Sequence, residues 1–205
     1  MKYKLIVFDM DGVIFVAHNF WMKLHHVFGT FEKGRELTDK YLLTDYAKLV
    51  EEVVDKLWKG KDATPYFGLV DSVEYYEGVK ETFDELRKRG YRIAVITCGP
   101  GHLIERMERD GMEFDYAYYN TLSIEDNKVK GEFDWPVAEG HDKKVTILKR
   151  ICAKEGIKPH EVITIADGKS DYELMKASGF KIAFCPTSDK IRIMADVVID
   201  RGDLR

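Results

Sequence analysis

Cysteine is scarce and unpatterned in this chain. Cys98, Cys152 and Cys185 are widely spaced, odd in number and without a CxxC pair. That argues against a disulfide framework and against a structural zinc site, so reduced, mostly buried thiols are expected. Positive charge is not in excess either: 32 Lys and Arg face 36 Asp and Glu, for a formal net charge of −4. The basic residues are scattered rather than striped, so no field is present that would gather nucleic acid or anionic lipid. No apolar run is long enough to span a bilayer, and no repeat or low-complexity tract occurs. The chain opens almost at once on a strand-like run, so no secretory leader is expected. A cytoplasmic protein with neither nucleic-acid nor membrane partners is expected.

What is present is enough for one core. The chain has 205 residues, 45% of them hydrophobic, which suits a single domain carrying a modest insertion. Short β-branched apolar runs at Lys4 to Phe8, Arg92 to Ile96, Val162 to Ala166, Lys181 to Phe184 and Val197 to Ile199 predict buried parallel strands, with Asp115 to Tyr119 a weaker candidate. Helical stretches lie between them. One carries Val79, Phe83 and Leu86 and is closed by Gly90; another opens near Pro100 and stops at Gly111; a third covers Lys144 to Glu155. Ser170 and Glu173 are spaced as a capping box for a fourth. Alternating strands and helices predict an α/β fold with a parallel sheet and helices on both faces.

Two segments break the alternation. From Phe15 to Glu77 no strand is predicted, while Tyr46, Leu49, Val50, Val53 and Leu57 fall at helical spacing after a possible cap at Thr44. This segment is read as a small helical insertion, residues 15–77, between core segments 1–14 and 78–205. From Leu122 to Phe133, Asn127-Lys128 is read as the turn of a β-hairpin, with an irregular surface loop as the alternative.

Ligands of open parallel sheets sit beyond the carboxyl ends of the strands. After the first strand comes Asp9-Met10-Asp11-Gly12. A calcium loop would need Gly at its sixth and Glu at its twelfth position. Those positions are Ile14 and Phe20, which excludes it, leaving a pair of solvated turn aspartates as the bland reading. After the second main strand comes Thr97-Cys98-Gly99-Pro100-Gly101, a hydroxyl and backbone amides that suit either an anion site or simple helix capping. Lys144 begins a later helix, where a lone lysine is ordinarily solvated. After the Val162 strand come Asp167 and Asp171. Helix electrostatics alone can account for Asp171, less readily for Asp167.

Taken together, the four segments predict more than each does alone. Four carboxylates at one edge repel unless a cation joins them. A hard divalent ion such as Mg²⁺, bound by a few carboxylates with waters and a phosphate, answers that need. Thr97, Lys144 and the loop amides would face it with positive potential. A carboxylate can itself be the nucleophile in phosphoryl transfer, and a second one can serve as acid and then base.

The ordered set Asp9-Met10-Asp11-Gly12, Thr97, Lys144, Asp167 and Asp171 resembles the four motifs of the haloacid dehalogenase (HAD) superfamily. The resemblance implies a Rossmann-like core with the first strand central, and a phosphatase acting on a small phosphorylated metabolite. It implies Asp9 as nucleophile and Asp11 as general acid/base. Mg²⁺ would be held by Asp9, Asp11 through its carbonyl, and Asp167, with Asp171 supporting. The phosphoryl group would be held by Thr97, Cys98, Gly99 and Lys144. The insertion is similar to the helical cap of these enzymes. The stretch from Gly131 through Lys144 looks most like the phosphoserine phosphatase branch. That branch has a glutamate seven residues after its second aspartate, where this chain has His18, and it uses a cap arginine, for which Arg35 is the insertion's one candidate. His18, Arg35 and Phe15 are therefore expected near the substrate. Phe20, Trp21, Tyr66 and Phe67 are read chiefly as insertion core, with pocket lining as the alternative. His25, His26 and His141 are read as core or solvated histidines. A phosphomutase or phosphotransferase on the same fold is a second reading. A phospho-acceptor signalling domain and a degenerate binding protein are more distant ones.

Overall fold

The computed structural model describes residues 2–137 and 142–205; His141 lies outside the described residues. The chain begins with β1 (Leu5–Phe8) and then runs through α1 (Phe20–Val27), α2 (Phe31–Tyr41) and α3 (Tyr46–Val50), which continues as a π-helical stretch, Glu51–Trp58. After α4 (Thr64–Ser72) come α5 (Val79–Lys88), β2 (Arg92–Pro100), α6 (Gly101–Arg109), β3 (Tyr116–Glu125), β4 (Lys128–Asp134) and α7 (Asp142–Glu155). The order closes with β5 (Val162–Ala166), α8 (Tyr172–Ala177), β6 (Phe180–Phe184), α9 (Asp189–Met194) and β7 (Val197–Ile199).

Among the described residues the sheet has seven strands in the order β4-β3-β2-β1-β5-β6-β7. All neighbouring pairs are parallel except β3 with the edge strand β4. The first strand is central, as expected, and all four of its residues are buried. Its side chains alternate between two helix layers, because successive Cβ atoms of a strand point to opposite faces. Leu5 and Val7 pack with Ile147, Leu148 and Ile151 of α7. Ile6 and Phe8 join the larger cluster that includes Phe83 of α5 and Leu103 of α6. That cluster runs on without a break into Phe20, Leu24, Trp58 and Tyr66 of the insertion.

The insertion carries no named strand, in line with its reading from sequence. Three local details differ. Asp45, not Thr44, caps α3: its side chain accepts the Lys48 N–H at 2.9 Å, while the Thr44 hydroxyl donates back to the Lys40 carbonyl at 2.8 Å. Ser170 forms no capping box. It lies in a 3₁₀ turn, Lys169–Asp171, and its hydroxyl donates to the buried Asp171 at 2.8 Å. The hairpin exists, but its turn is Asp126-Asn127, both at positive φ (49° and 57°), and its strands are longer than the sequence suggested. Asp and Asn tolerate this left-handed backbone better than most residues. The hairpin tip reaches the insertion: Gly60 N–H donates to Val129 O and Ala63 N–H to Asn127 O, each at 2.8 Å.

Candidate active site

The carboxyl ends of β1, β2 and β5 and the amino end of α7 meet at one cavity of about 380 Å³. Asp9, one residue past β1, is 5% exposed, and Lys144, in the first turn of α7, is 2% exposed. The Lys144 Nζ donates to Asp9 Oδ1 and to Asp171 Oδ1, both at 2.8 Å. Residues separated by most of the chain are thus joined by one ammonium. Asp167, at the end of β5, accepts or shares a proton with His18 Nδ1 at 2.8 Å from Oδ2. Its backbone carbonyl accepts from the Thr187 N–H and hydroxyl.

Asp11 is held from the insertion side. Its Oδ2 accepts the N–H of Phe20, the first residue of α1, at 3.0 Å. Its Oδ1 is buried with no hydrogen-bond partner. Buried polar atoms are rarely left so, and the exceptions concentrate at working sites. Gly12 makes the close packing here possible. Its φ is +79°, and an added Cβ would lie 2.3 Å from Asp167 Oδ2 and 2.8 Å from His18 Nδ1. Gly99 is similarly confined, with an added Cβ 2.5 Å from the Met10 methyl. The Gly99 N–H donates to Thr97 Oγ1 at 2.8 Å, so the Thr97 hydroxyl keeps its own proton to give. The Cys98 carbonyl accepts from Trp21 Nε1 at 2.7 Å and from Asn120 Nδ2 at 3.0 Å.

Four carboxylates against one lysine leave the site over-rich in negative charge. Burial raises Asp9 well above the ordinary carboxylate range; Asp171 and Asp167 add to this, and Lys144 offsets only part of it. Burial pushes Asp11 up to about 6 despite the Phe20 N–H, and Asp167 up to about 6 despite His18. For Lys144, burial works against the charge, but Asp171 and Asp9 outweigh it and its pKa is raised. Burial pushes the Cys98 thiol up to about 12, so it is not a nucleophile at neutral pH.

Among the described residues no three His, Cys, Asp or Glu side chains form a ready-made metal cage. Mg²⁺ does not require one. It binds through one or two carboxylates and completes its shell with water and substrate phosphate. Hard oxygen donors with raised pKa values and an orphaned buried oxygen suit such an ion.

Asp9, Asp11, Thr97, Cys98, Gly99, Lys144, Asp167 and His18 all line the cavity. Asp171 lies directly behind it, fully buried on Lys144. Two expected residues are elsewhere. Arg35 is exposed on α2, paired with Glu32 at 3.2 Å and lying over the Phe31 ring. A helix this rich in Glu, Lys, Arg and Asp turns its charged face to water. Phe15 is fully buried, stacked on Tyr75 at 4.5 Å with Arg106 over its ring. Phe20 and Tyr66 are core, as read. His25 is core and His26 stacks on Phe31. Trp21 lines the cavity, the alternative weighed for it from sequence; Asn19, Leu42, Leu43, Tyr46, Thr187 and Ser188, none of them read as site residues from sequence, line it too. Thr187 and Ser188 follow β6, so the strand-end rule that found Asp167 also reaches them. Leu42 and Leu43 carry no such signal.

A parallel sheet with β1 central, acidic residues at the ends of β1 and β5 and a buried lysine joining them gives an acidic, oxygen-rich cavity at the carboxyl edge of a Rossmann-like α/β core. The haloacid dehalogenase-like hydrolase family matches residues 6–176, and the chain belongs to it. It is 29% identical to a phosphoserine phosphatase of Methanocaldococcus jannaschii, over all of this chain and 95% of that one. Its structure is similar to that of a phosphoserine phosphatase in apo form (TM-score 0.83, 28% identity, covering 99% of this chain and 96% of that one). It is likewise similar to a phospho-aspartyl intermediate analogue of phosphoserine phosphatase (TM-score 0.82, 28% identity, covering 100% and 97%).

Proposed function

We propose that the protein is a Mg²⁺-dependent phosphatase that hydrolyses a small phosphomonoester through an aspartyl phosphate on Asp9. The observation that carries this reading is the convergence of Asp9, Asp11 and Asp167 on one cavity, with Lys144 bridging Asp9 and Asp171. The relatives' names, and the phospho-aspartyl analogue of one of them, support it.

In this reading an Asp9 oxygen forms a bond to phosphorus as the ester P–O bond breaks. Asp11 gives its proton to the departing alcohol oxygen. A pKa of about 6 leaves Asp11 able to carry that proton near neutrality and to take one back. Water then bonds to phosphorus, Asp11 accepts its proton, the bond to Asp9 breaks and phosphate leaves. Lys144 and the Thr97 hydroxyl stabilise the phosphoryl oxygens and keep Asp9 in line. Asp9, the Asp11 carbonyl and Asp167 would hold Mg²⁺, which supplies charge neutralisation when bound. Residues 15–77 would act as a cap on core segments 1–14 and 78–205. The Phe20 N–H on Asp11 then couples cap position to the acid, and closure excludes water.

Asp9→Asn is expected to abolish phosphate release from p-nitrophenyl phosphate while leaving the circular dichroism spectrum unchanged. Asp11→Asn is expected to lower kcat by a factor of about 10² to 10⁴. Unchanged turnover in Asp9→Asn would remove Asp9 as nucleophile.

A further inference from the structure

We propose that the leaving group of the substrate is an uncharged, apolar alcohol, alkyl or aryl, and not an amino acid; this rests on the phosphatase reading above and narrows its substrate class.

The cavity has two unlike ends. The core end holds the carboxylates, Lys144 and Thr97. The insertion end is walled by Trp21, Leu42, Leu43 and Tyr46. Several polar atoms on that side are already engaged, and the rest, the Tyr46 hydroxyl, Asn19 Nδ2 and His18 Nε2, include no carboxylate or ammonium. Trp21 Nε1 donates to the Cys98 carbonyl, Asn19 Oδ1 accepts the Met22 N–H at 3.1 Å, and His18 Nδ1 is on Asp167. Among the described residues the insertion contributes no carboxylate, lysine or arginine to the lining. Lys169, the one lysine besides Lys144 among the described lining residues, belongs to the exposed core loop after Asp167, not to the insertion.

An amino-acid leaving group would bring an ammonium and a carboxylate against this wall. Burying either without a partner is expensive. An apolar group meets the opposite situation. Leu42 and Leu43 are 44% and 77% exposed at the mouth, so a bound apolar chain would take their surface out of water. Behind Trp21, Leu42 and Tyr46 lies a second cleft of about 90 Å³, which shares those residues and continues to Leu49, Val53 and Trp58. Trp21, Leu42 and Tyr46 line both, so a longer leaving group has somewhere apolar to extend.

A series of straight-chain alkyl phosphates from methyl to hexyl, with O-phospho-L-serine alongside, tests this on the wild-type enzyme. The leaving alcohols beyond methanol differ little in acidity, so kcat/KM reports their binding in the transition state. Burial of each methylene is expected to raise kcat/KM about threefold to fourfold. Hexyl phosphate should exceed phosphoserine by about a hundredfold. Leu42→Asp, at a position already part-exposed, should lower the hexyl-to-methyl ratio about tenfold or more. A flat series, a preference for phosphoserine, or an unaltered ratio in Leu42→Asp would overturn the inference while leaving the phosphatase reading intact. No phosphate from any member, nor from p-nitrophenyl phosphate, would remove that reading and the inference with it.

Discussion

Lys144 sits where three charges have to balance. Its ammonium is buried and touches two buried carboxylates, Asp9 and Asp171. A buried pair of this kind adds little net stability over an apolar substitute, yet removing one partner strands the other charges. Lys144→Met is therefore expected to destabilise the protein by about 3 kcal/mol in denaturant unfolding without Mg²⁺. An unchanged midpoint would mean that the ammonium is not holding the acids apart. Gly12 is a second residue with no substitute. Gly12→Ala drives a methyl into Asp167 at positive φ, and should displace Asp167 and cut kcat by a factor of 10² or so. Full activity in that variant would show that the backbone here is not constrained as described.

Among the elements, α1 links the insertion to the chemistry. Its first N–H holds Asp11, and its cap is the Asn19 side chain on the Met22 N–H. Asn19→Ala should cost about 1 kcal/mol of stability and, on the proposed mechanism, lower kcat more than it raises KM, since it loosens Asp11 and leaves Lys144 and Thr97 in place. An effect on KM alone would contradict this. Element by element, legibility followed the physics of burial. The central strands are apolar on both faces, so β1, β2 and β5 and the acids after β1 and β5 could be read from sequence, although β2 runs on through Thr97 to Pro100. The hairpin was legible as a turn but not in length, because β3 and β4 are half-exposed and mix Tyr, Lys and Glu. The site residues on the insertion were the least legible. Arg35 is expected inward only from the family resemblance, whereas helix packing turns it outward beside Glu32. Leu42 and Leu43 line the cavity from a loop between α2 and α3, where no periodicity points to a face.

For the molecule as a whole, two sets of buried groups pull stability in opposite directions with pH. His25, packed on Trp58 and bonded to Thr30, has its pKa lowered to about 4 by burial, with His26 adding to the effect. The unfolded chain, with its histidine near 6.5, binds the extra proton between these values. Stability from this group is therefore whole above about pH 6.5 and drains away as pH falls toward 4. Asp11 and Asp167, raised to about 6 from 3.8, do the reverse. Here the folded chain holds more protons, so lowering the pH from above 6 toward 4 relieves a destabilisation. His25→Gln should remove the first trend and leave the second, read by unfolding at several pH values. Mg²⁺ should act on the second trend alone. It should raise the thermal midpoint at pH 8, where the carboxylates are ionised and crowded, and progressively less below about pH 6, where protons compete for the same oxygens. A midpoint shift independent of pH would place the ion elsewhere.

The chemistry itself can be caught directly. Enzyme mixed with Mg²⁺ and a turning-over phosphomonoester, quenched in acid within milliseconds and reduced with borohydride, should yield a single modified aspartate on peptide mapping. The modification is expected on Asp9 and absent from the Asp9→Asn protein. Phosphate release with no trapped aspartate, or with the label on Asp11, Asp167 or Asp171, would contradict the account.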